Sequence, residues 1–256
     1  MESSNELGCL SVVIPTYNER DNLEPLLRRL AVVRRAWTGD LEIVIVDDRS
    51  PDGTARQAKH LADRLDVPVR VLVRDGPRSM GRAIVAGIEQ SRGHLVCVMD
   101  ADLSHPPELI LDLLRVLDGA DGVVASRYAA GGTLDGWPRT RRIISWGATA
   151  LSRPLVRTPC YDPLSGFFLF RRTSLTGLTI TGIGNKPLLE ILAQKPLAIH
   201  ELPYEFRDRE RGASKLDPRG FVGFTRLLAR LSWQSIRGNS PSLARDGEAP
   251  AEAHGP

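Results

Sequence analysis

The chain has 256 residues, 42% of them hydrophobic, with a formal net charge of +3 and three cysteines. That length accommodates one large α/β domain, or one domain with a short appendage. The charge excess is too small to indicate a nucleic-acid binder, and Cys9, Cys97 and Cys160 fall in no metal-ligand or redox spacing, so they read as thiols of a reducing compartment.

The N-terminal stretch MESSNELGCLSVVIP has no basic region ahead of an apolar one, so no signal peptide is expected. Strand-length apolar runs then alternate with helical patterns. LSVVIPT (10–16) precedes ERDNLEPLLRRLAVV (19–33), whose Leu23, Leu26, Leu27 and Leu30 recur at helical spacing. LEIVIVDD (41–48) precedes SPDGTARQAKHLADRL (50–65), with Asp52 or Thr54 as its cap. VPVRVLVR (67–74) precedes SMGRAIVAGIEQSRG (79–93), and HLVCVMDAD (94–102) precedes PPELILDLLRVL (106–117), with the proline pair in its first turn. DGVVASR (121–127) is a further strand. Strand-then-helix repetition predicts an open, mostly parallel sheet, and near-continuous apolar strands predict helices on both faces.

Beyond Arg127 the pattern becomes irregular and basic, with a helix predicted near 139–157. GFFLFRR (166–172) and LAIHELPYEF (197–206) read as strands, with KPLLEILAQ (186–194) a helix between them. PRGFVGFTRLLARLSWQSIRG (218–238) is an amphipathic helix: Phe221, Phe224, Leu227, Leu228 and Leu231 form one stripe, suited to a bilayer surface, the domain itself or a membrane partner. The expected layout is an extension at 1–9, a catalytic domain at 10–217, this helix at 218–237 and a disordered, Gly/Pro/Ala-rich tail at 238–256. No apolar run reaches the roughly 18 residues that suggest a membrane-crossing helix.

In parallel α/β sheets, ligands bind beyond the carboxyl ends of the strands. Three such ends carry acids: PTYNE, VDD and DAD. On an extended segment Asp100 and Asp102 would point the same way, about 7 Å apart, and could address one cation. Carboxylate oxygens suit Mg2+ or Mn2+, which take their remaining ligands from phosphate and water. Alone, such a pair is equally a helix cap beside a solvated acid. The chain lacks GxxxxGK[ST], and no GxGxxG follows a strand, so a bound nucleotide must be held by metal and cationic side chains.

The blocks VVIPTYNERDNL, IVIVDDRSPDGT, VMDADLSHPPEL, SRY, GWPRTRRIISWGA, DPLSGFFLFRR, KPLLEIL and RERGASKL come in this order across residues 10 to about 235. In these the chain resembles family-two glycosyltransferases of the polyprenol (dolichyl) phosphate mannose synthase branch. The resemblance implies a Rossmann-like GT-A fold and inverting, metal-dependent transfer of mannose from GDP-mannose to polyprenyl phosphate. It places Pro15, Tyr17, Glu19, Val46 and Asp48 in the base and ribose pocket. Asp100, Ala101 and Asp102 become the metal and diphosphate site, with Ser104 beside them. Arg127, Lys186, Arg209 and Lys215 become cations around the diphosphate and the acceptor phosphate, with Asp102, Arg127 and Arg209 the catalytic set. Arg139, Arg141, Arg142 and Ser145 fall on the acceptor side, in a stretch where arginines and Trp137 and Trp146 suit an anionic membrane surface. The implied location is peripheral on the cytoplasmic face of a membrane, with or without a separate anchoring protein, and no nucleic acid is involved.

The chain departs from the family pattern at three places near the donor pocket. Ser104 stands where glutamine is usual, GPRSMGRA (76–83) replaces a more glycine-rich loop, and Arg49 replaces an acidic or small polar residue. These leave open a different donor, such as UDP-glucose, or a module that binds nucleotide-sugar or lipid phosphate without turnover.

Overall fold

A computed structural model describes residues 8–134, 136–206 and 218–238. The first nine elements are β1 (Leu10–Thr16), α1 (Arg20–Ala36), β2 (Leu41–Asp47), α2 (Thr54–Leu65), β3 (Val69–Val73), α3 (Met80–Gln90), β4 (Leu95–Val98), α4 (Leu109–Val116) and β5 (Gly122–Ser126). Then follow β6 (Thr133–Leu134), α5 (Arg139–Ser152), β7 (Phe168–Arg171), α6 (Arg172–Leu175), α7 (Pro187–Gln194), β8 (Ile199–Pro203), β9 (Glu205–Phe206) and α8 (Pro218–Gly238).

Seven strands form one sheet in the order β3-β2-β1-β4-β7-β5-β8. Only β7 runs antiparallel, wedged between β4 and β5. The mostly parallel sheet read from the sequence is therefore present. Every residue of β1, β4 and β5 is buried, as a central strand covered on both faces requires. Helices α1, α2 and α4 send Leu23, Leu26, Leu30, Leu61, Ile110 and Leu113 into the core on one face. Helices α3 and α7 send Ala83, Ile84, Ile88, Leu188 and Ile191 into the core on the other.

The strand order reverses at β1. The chain steps outward through β2 and β3, then returns to place β4 on β1's other side. A crevice opens at such a switch point, beyond the carboxyl ends of the two strands. Met99 N bonds Val13 O at 3.2 Å, so the acid-rich ends of β1 and β4 leave the sheet together.

Three predicted elements are corrected. The helix near 139–157 stops at Ser152 and continues as a 3-10 turn, Arg153–Leu155. Pro154 explains this, because it has no N–H to continue the α ladder. The proline pair precedes α4 instead of opening it; 3-10-type bonds from Leu109 N to Pro106 O and Ile110 N to Pro107 O form the lead-in. LAIHELPYEF is two strands: β8 runs beside β5 as far as the Ser126–Pro203 pair, and β9 then pairs with β6.

The stripe on α8 packs on the domain. Leu227 and Leu231 are buried against Leu164 and Leu189, with Phe224 and Leu228 at the edge. The helix sits close to the 3-10 turn Ile183–Asn185, where Gly184 has φ +70 and a Cβ would lie 3.0 Å from Gly223 O. Only glycine meets both conditions without strain. Phe221 and Trp233 are left exposed on α8.

Candidate active site

The first wall of the crevice is built from the β1–α1 and β2–α2 loops. Three amides of residues 18–20 donate to the second loop: Asn18 N to Ser50 Oγ (2.9 Å), Glu19 N to Thr54 Oγ1 (3.1 Å) and Arg20 N to Asp52 Oδ2 (3.2 Å). Asp52 also accepts from Thr54 N, but the cap position of α2 is Gly53 and no side chain caps the helix, so neither Asp52 nor Thr54 is the cap expected from the sequence. Asp47 holds the second loop by accepting from Ser50 N and from Thr16 Oγ1. Tyr17 is thereby presented at the rim, while Glu19 accepts from Asn22 Nδ2 at 2.7 Å.

Asp48 lies deeper. It accepts from Arg74 Nε at 2.7 Å and from Ser79 N at 2.6 Å, which ties the β3–α3 loop to the pocket. Val46 does not line a pocket with its side chain: it is fully buried in the core with Val13 and Val44. Pro15 and Ala101 are buried likewise, Ala101 within the core on the opposite face of the sheet. With their side chains buried, only the backbone of these residues is available to a ligand.

The second wall follows β4. The strand ends at Val98, and residues 101–105 form a bend in which Leu103 takes φ +64. The extended arrangement expected for Asp100 and Asp102 is therefore absent. An Asx-type turn closes directly beyond the pair: Asp102 Oδ1 accepts from Ser104 N at 3.1 Å and from Ser104 Oγ at 2.6 Å. Ser104 acts on the site through Asp102, and both side chains are buried. Asp100 is placed by His105, whose Nδ1 accepts from Asp100 N at 2.9 Å. The His105 ring stacks on Phe167 at 5.1 Å and meets Tyr204 and Phe206 edge-on. Burial pushes its pKa below the usual histidine value, against the pull of Asp100 and Asp102, which keeps the imidazole neutral and Nδ1 an acceptor.

Arg127 is held by a carboxylate. Its guanidinium makes a two-point ion pair with the fully buried Asp162, Nε–Oδ2 at 2.7 Å and Nη2–Oδ1 at 2.8 Å, and its own N–H reaches the same carboxylate at 3.0 Å. Burial alone would lower its pKa, but Asp162 overrides this and holds it above the ordinary arginine value. Lys186 sits behind this pair and donates to Leu164 O at 3.2 Å. Burial, then the Arg127 charge, pull its pKa below the usual lysine value, while Asp100 and Asp162 oppose them. An anion arriving beside Lys186 would strengthen its protonated form. Arg209 and Lys215 lie outside the described residues.

Among the residues that the family resemblance assigns to the acceptor, Ser145 accepts from Tyr128 Oη at 2.7 Å, fixing α5 to the residue next to Arg127. Arg142 donates to Leu134 O at 2.5 Å, and Arg141 stacks on Trp137 at 3.8 Å. Trp137 is buried against Phe206, contrary to an interfacial role, whereas Trp146 is 60% exposed. With Ile143, Ile144 and Leu151 it forms an outward apolar face on a helix that begins Arg139-Thr140-Arg141-Arg142. Among the described residues no helix is long and apolar enough to cross a membrane.

Whether the acids suit a divalent cation is decided by their donor chemistry. Asp100 and Asp102 offer hard oxygen donors, which fit Mg2+ or Mn2+. Among the described residues no group of three or more His, Cys, Asp or Glu could hold a metal by itself. The pair therefore fits an ion that completes its shell with phosphate and water.

Residues 11–178 match the glycosyl transferase family 2 sequence family. The chain is 40% identical over 254 residues to the dolichol-phosphate mannosyltransferase of Pyrococcus furiosus, spanning 93% of this chain and 70% of that protein. It is 37% identical over 215 residues to the polyprenol monophosphomannose synthase of Mycolicibacterium smegmatis, spanning 80% of each. Among solved structures it is similar to a mannosyltransferase from Pyrobaculum calidifontis in complex with GDP-Man and Mn2+, with a TM-score of 0.58, 20% identity, and coverage of 94% of this chain and 65% of that one. The shared architecture is the GT-A glycosyltransferase fold.

Proposed function

The chain belongs to glycosyl transferase family 2, and from that premise we propose that it moves mannose from GDP-mannose to a polyprenyl phosphate, with inversion at the anomeric carbon. The arrangement that supports the reading is the switch point between β1 and β4, where α/β sheets bind their ligands. Tyr17, Glu19 and Asp48 stand on its β1–β2 side and Asp100 and Asp102 on its β4 side, in a chain whose relatives are dolichol-phosphate and polyprenol-phosphate mannose enzymes.

An acceptor phosphate oxygen bonds to the anomeric carbon as the carbon–oxygen bond to the nucleoside diphosphate breaks. The acceptor is already an anion, so no strong general base is needed; the demand is to orient two anions and offset the charge of the leaving group. A divalent cation held by Asp100 and Asp102 would supply Lewis-acid stabilisation of the diphosphate. Ser104 orients the Asp102 carboxylate, and the neutral His105 holds the backbone at Asp100. Asp162 holds the Arg127 guanidinium in place, and Lys186 offers a charge that an arriving anion favours. Arg209 and Lys215 are assigned to the same anions from the family pattern.

The test is turnover with a donor panel. Purified protein with Mg2+ or Mn2+ and a short polyprenyl phosphate should form lipid-linked mannose from GDP-mannose and little product from UDP-glucose. Faster transfer from UDP-glucose would replace the donor assignment.

We further propose peripheral binding at the cytoplasmic face of a membrane, through the apolar and arginine-rich face of α5. Burying an exposed apolar side chain contributes about 1.5–3 kcal/mol. Replacing Ile143, Ile144 and Trp146 together by serine should therefore lower cosedimentation with vesicles containing anionic phospholipid by about tenfold or more. Undiminished cosedimentation would exclude this face.

A further inference from the structure

Two departures from the family pattern, Arg49 and the GPRSMGRA loop, meet at one place in the fold. Arg49, itself at φ +54, forms an ion pair with Asp75. One residue back, Arg74 bonds Asp48 through Nε and donates from Nη2 to Pro77 O at 2.7 Å. Two residues on, Ser79 N returns to Asp48, and Ser79 Oγ caps α3 by accepting from Arg82 N. Asn185 Oδ1 completes the anchorage by accepting from Gly81 N at 2.9 Å. Residues 74–79 are thus fastened at both ends, and Arg78 projects between the fastenings. Its guanidinium carbon lies 3.9 Å from the centroid of the Tyr17 ring. The side chain is exposed and has no carboxylate partner among the described residues.

We propose that Arg78 is the residue that selects the donor base, and that it selects guanine. The inference rests on the reading of Tyr17 as the platform on which the base stacks. A base that takes the guanidinium's place on the ring has that guanidinium at its edge, because the fastened loop keeps Arg78 at the pocket mouth. Guanine presents two adjacent acceptors, O6 and N7, on one edge, and the planar guanidinium fork matches them with two parallel N–H donors. Uracil presents no such pair. Arg74 cannot serve in its place, because Asp48 and Pro77 already engage its guanidinium. An exposed cation–π contact is worth only about 0.5–1 kcal/mol, so Arg78 leaves Tyr17 readily.

The experiment is titration calorimetry of GDP and UDP, each with Mn2+, against the unaltered chain, Arg78→Ala and Arg78→Lys. The unaltered chain should bind GDP more tightly. Arg78→Ala should weaken GDP about tenfold, in the range of one bidentate base contact, and leave UDP within about twofold. Arg78→Lys should recover little, since an ammonium has no fork. Equal losses for both nucleotides would reduce Arg78 to general charge and overturn the assignment. So would an unchanged GDP-to-UDP ratio in a chain that otherwise prefers GDP. A chain that prefers UDP before any substitution overturns the donor reading and this assignment together.

Discussion

Asp102→Ala should lower lipid-mannose formation about a thousandfold or more while the chain stays folded, the upper range for removing one group that stabilises transition-state charge. The difficulty is that Asp102 has two jobs. Its Oδ1 closes the turn around Leu103 by accepting from Ser104 N and Oγ. Its charge, with that of Asp100, is what a divalent cation would require, and the cation in turn would offset the diphosphate. Losing the turn bonds costs about 1–3 kcal/mol of stability and could by itself disorder the bend. Asp102→Asn separates the two. An amide oxygen still accepts from Ser104, so the turn is retained and unfolding by denaturant should shift little. The formal charge is gone, so activity should remain near the alanine level, and raised Mn2+ should recover only part of it. Activity of Asp102→Asn close to that of the unaltered enzyme would mean that only the turn matters, and the metal assignment would fall.

The turn also shows where sequence reading ran out. The repeated strand-then-helix pattern made the sheet legible, because apolar periodicity reports burial and burial on both faces defines a parallel sheet. The acid-bearing strand ends were legible for the same reason. What a linear pattern could not show was how polar side chains redirect the backbone. Asp100 and Asp102 are i and i+2, yet the chain bends from residue 101 onward and bonds from Ser104 to Asp102 close a turn directly beyond the pair. Val46 was placed in the pocket by motif position, yet its side chain is buried in the core. Asp162 and His105 lie within DPLSGFF and DADLSHPPEL, but a linear pattern assigns them no role. Their importance comes from partners 35 and 5 residues away, which only the fold brings into contact. One signal was available for Asp162: a lone acid directly after a basic stretch with none invites the question of which arginine it serves.

That pair yields the other large effect. Asp162→Ala should destabilise the chain by about 3–5 kcal/mol, the usual consequence of leaving one member of a buried ion pair without its partner. Asp162 is fully buried, and its loss orphans both the Arg127 guanidinium and the Arg127 N–H. In a denaturant titration the midpoint should fall with the slope unchanged, as for a loss of stability without a change of cooperativity. The double variant Arg127→Met with Asp162→Leu removes both charges and keeps apolar bulk. Replacing a whole buried pair in this way is often neutral or stabilising, so much of the lost midpoint should return. Activity should not return. Arg127 precedes Tyr128, which fixes α5 through Ser145, and the pair's net dipole sits beside Lys186 and Asp100. A double variant that is stable but inactive assigns the pair to positioning the anion site. A double variant that is stable and active would leave it a purely structural brace, and the offset of leaving-group charge would then have to come from Lys186 and the cations of the RERGASKL segment.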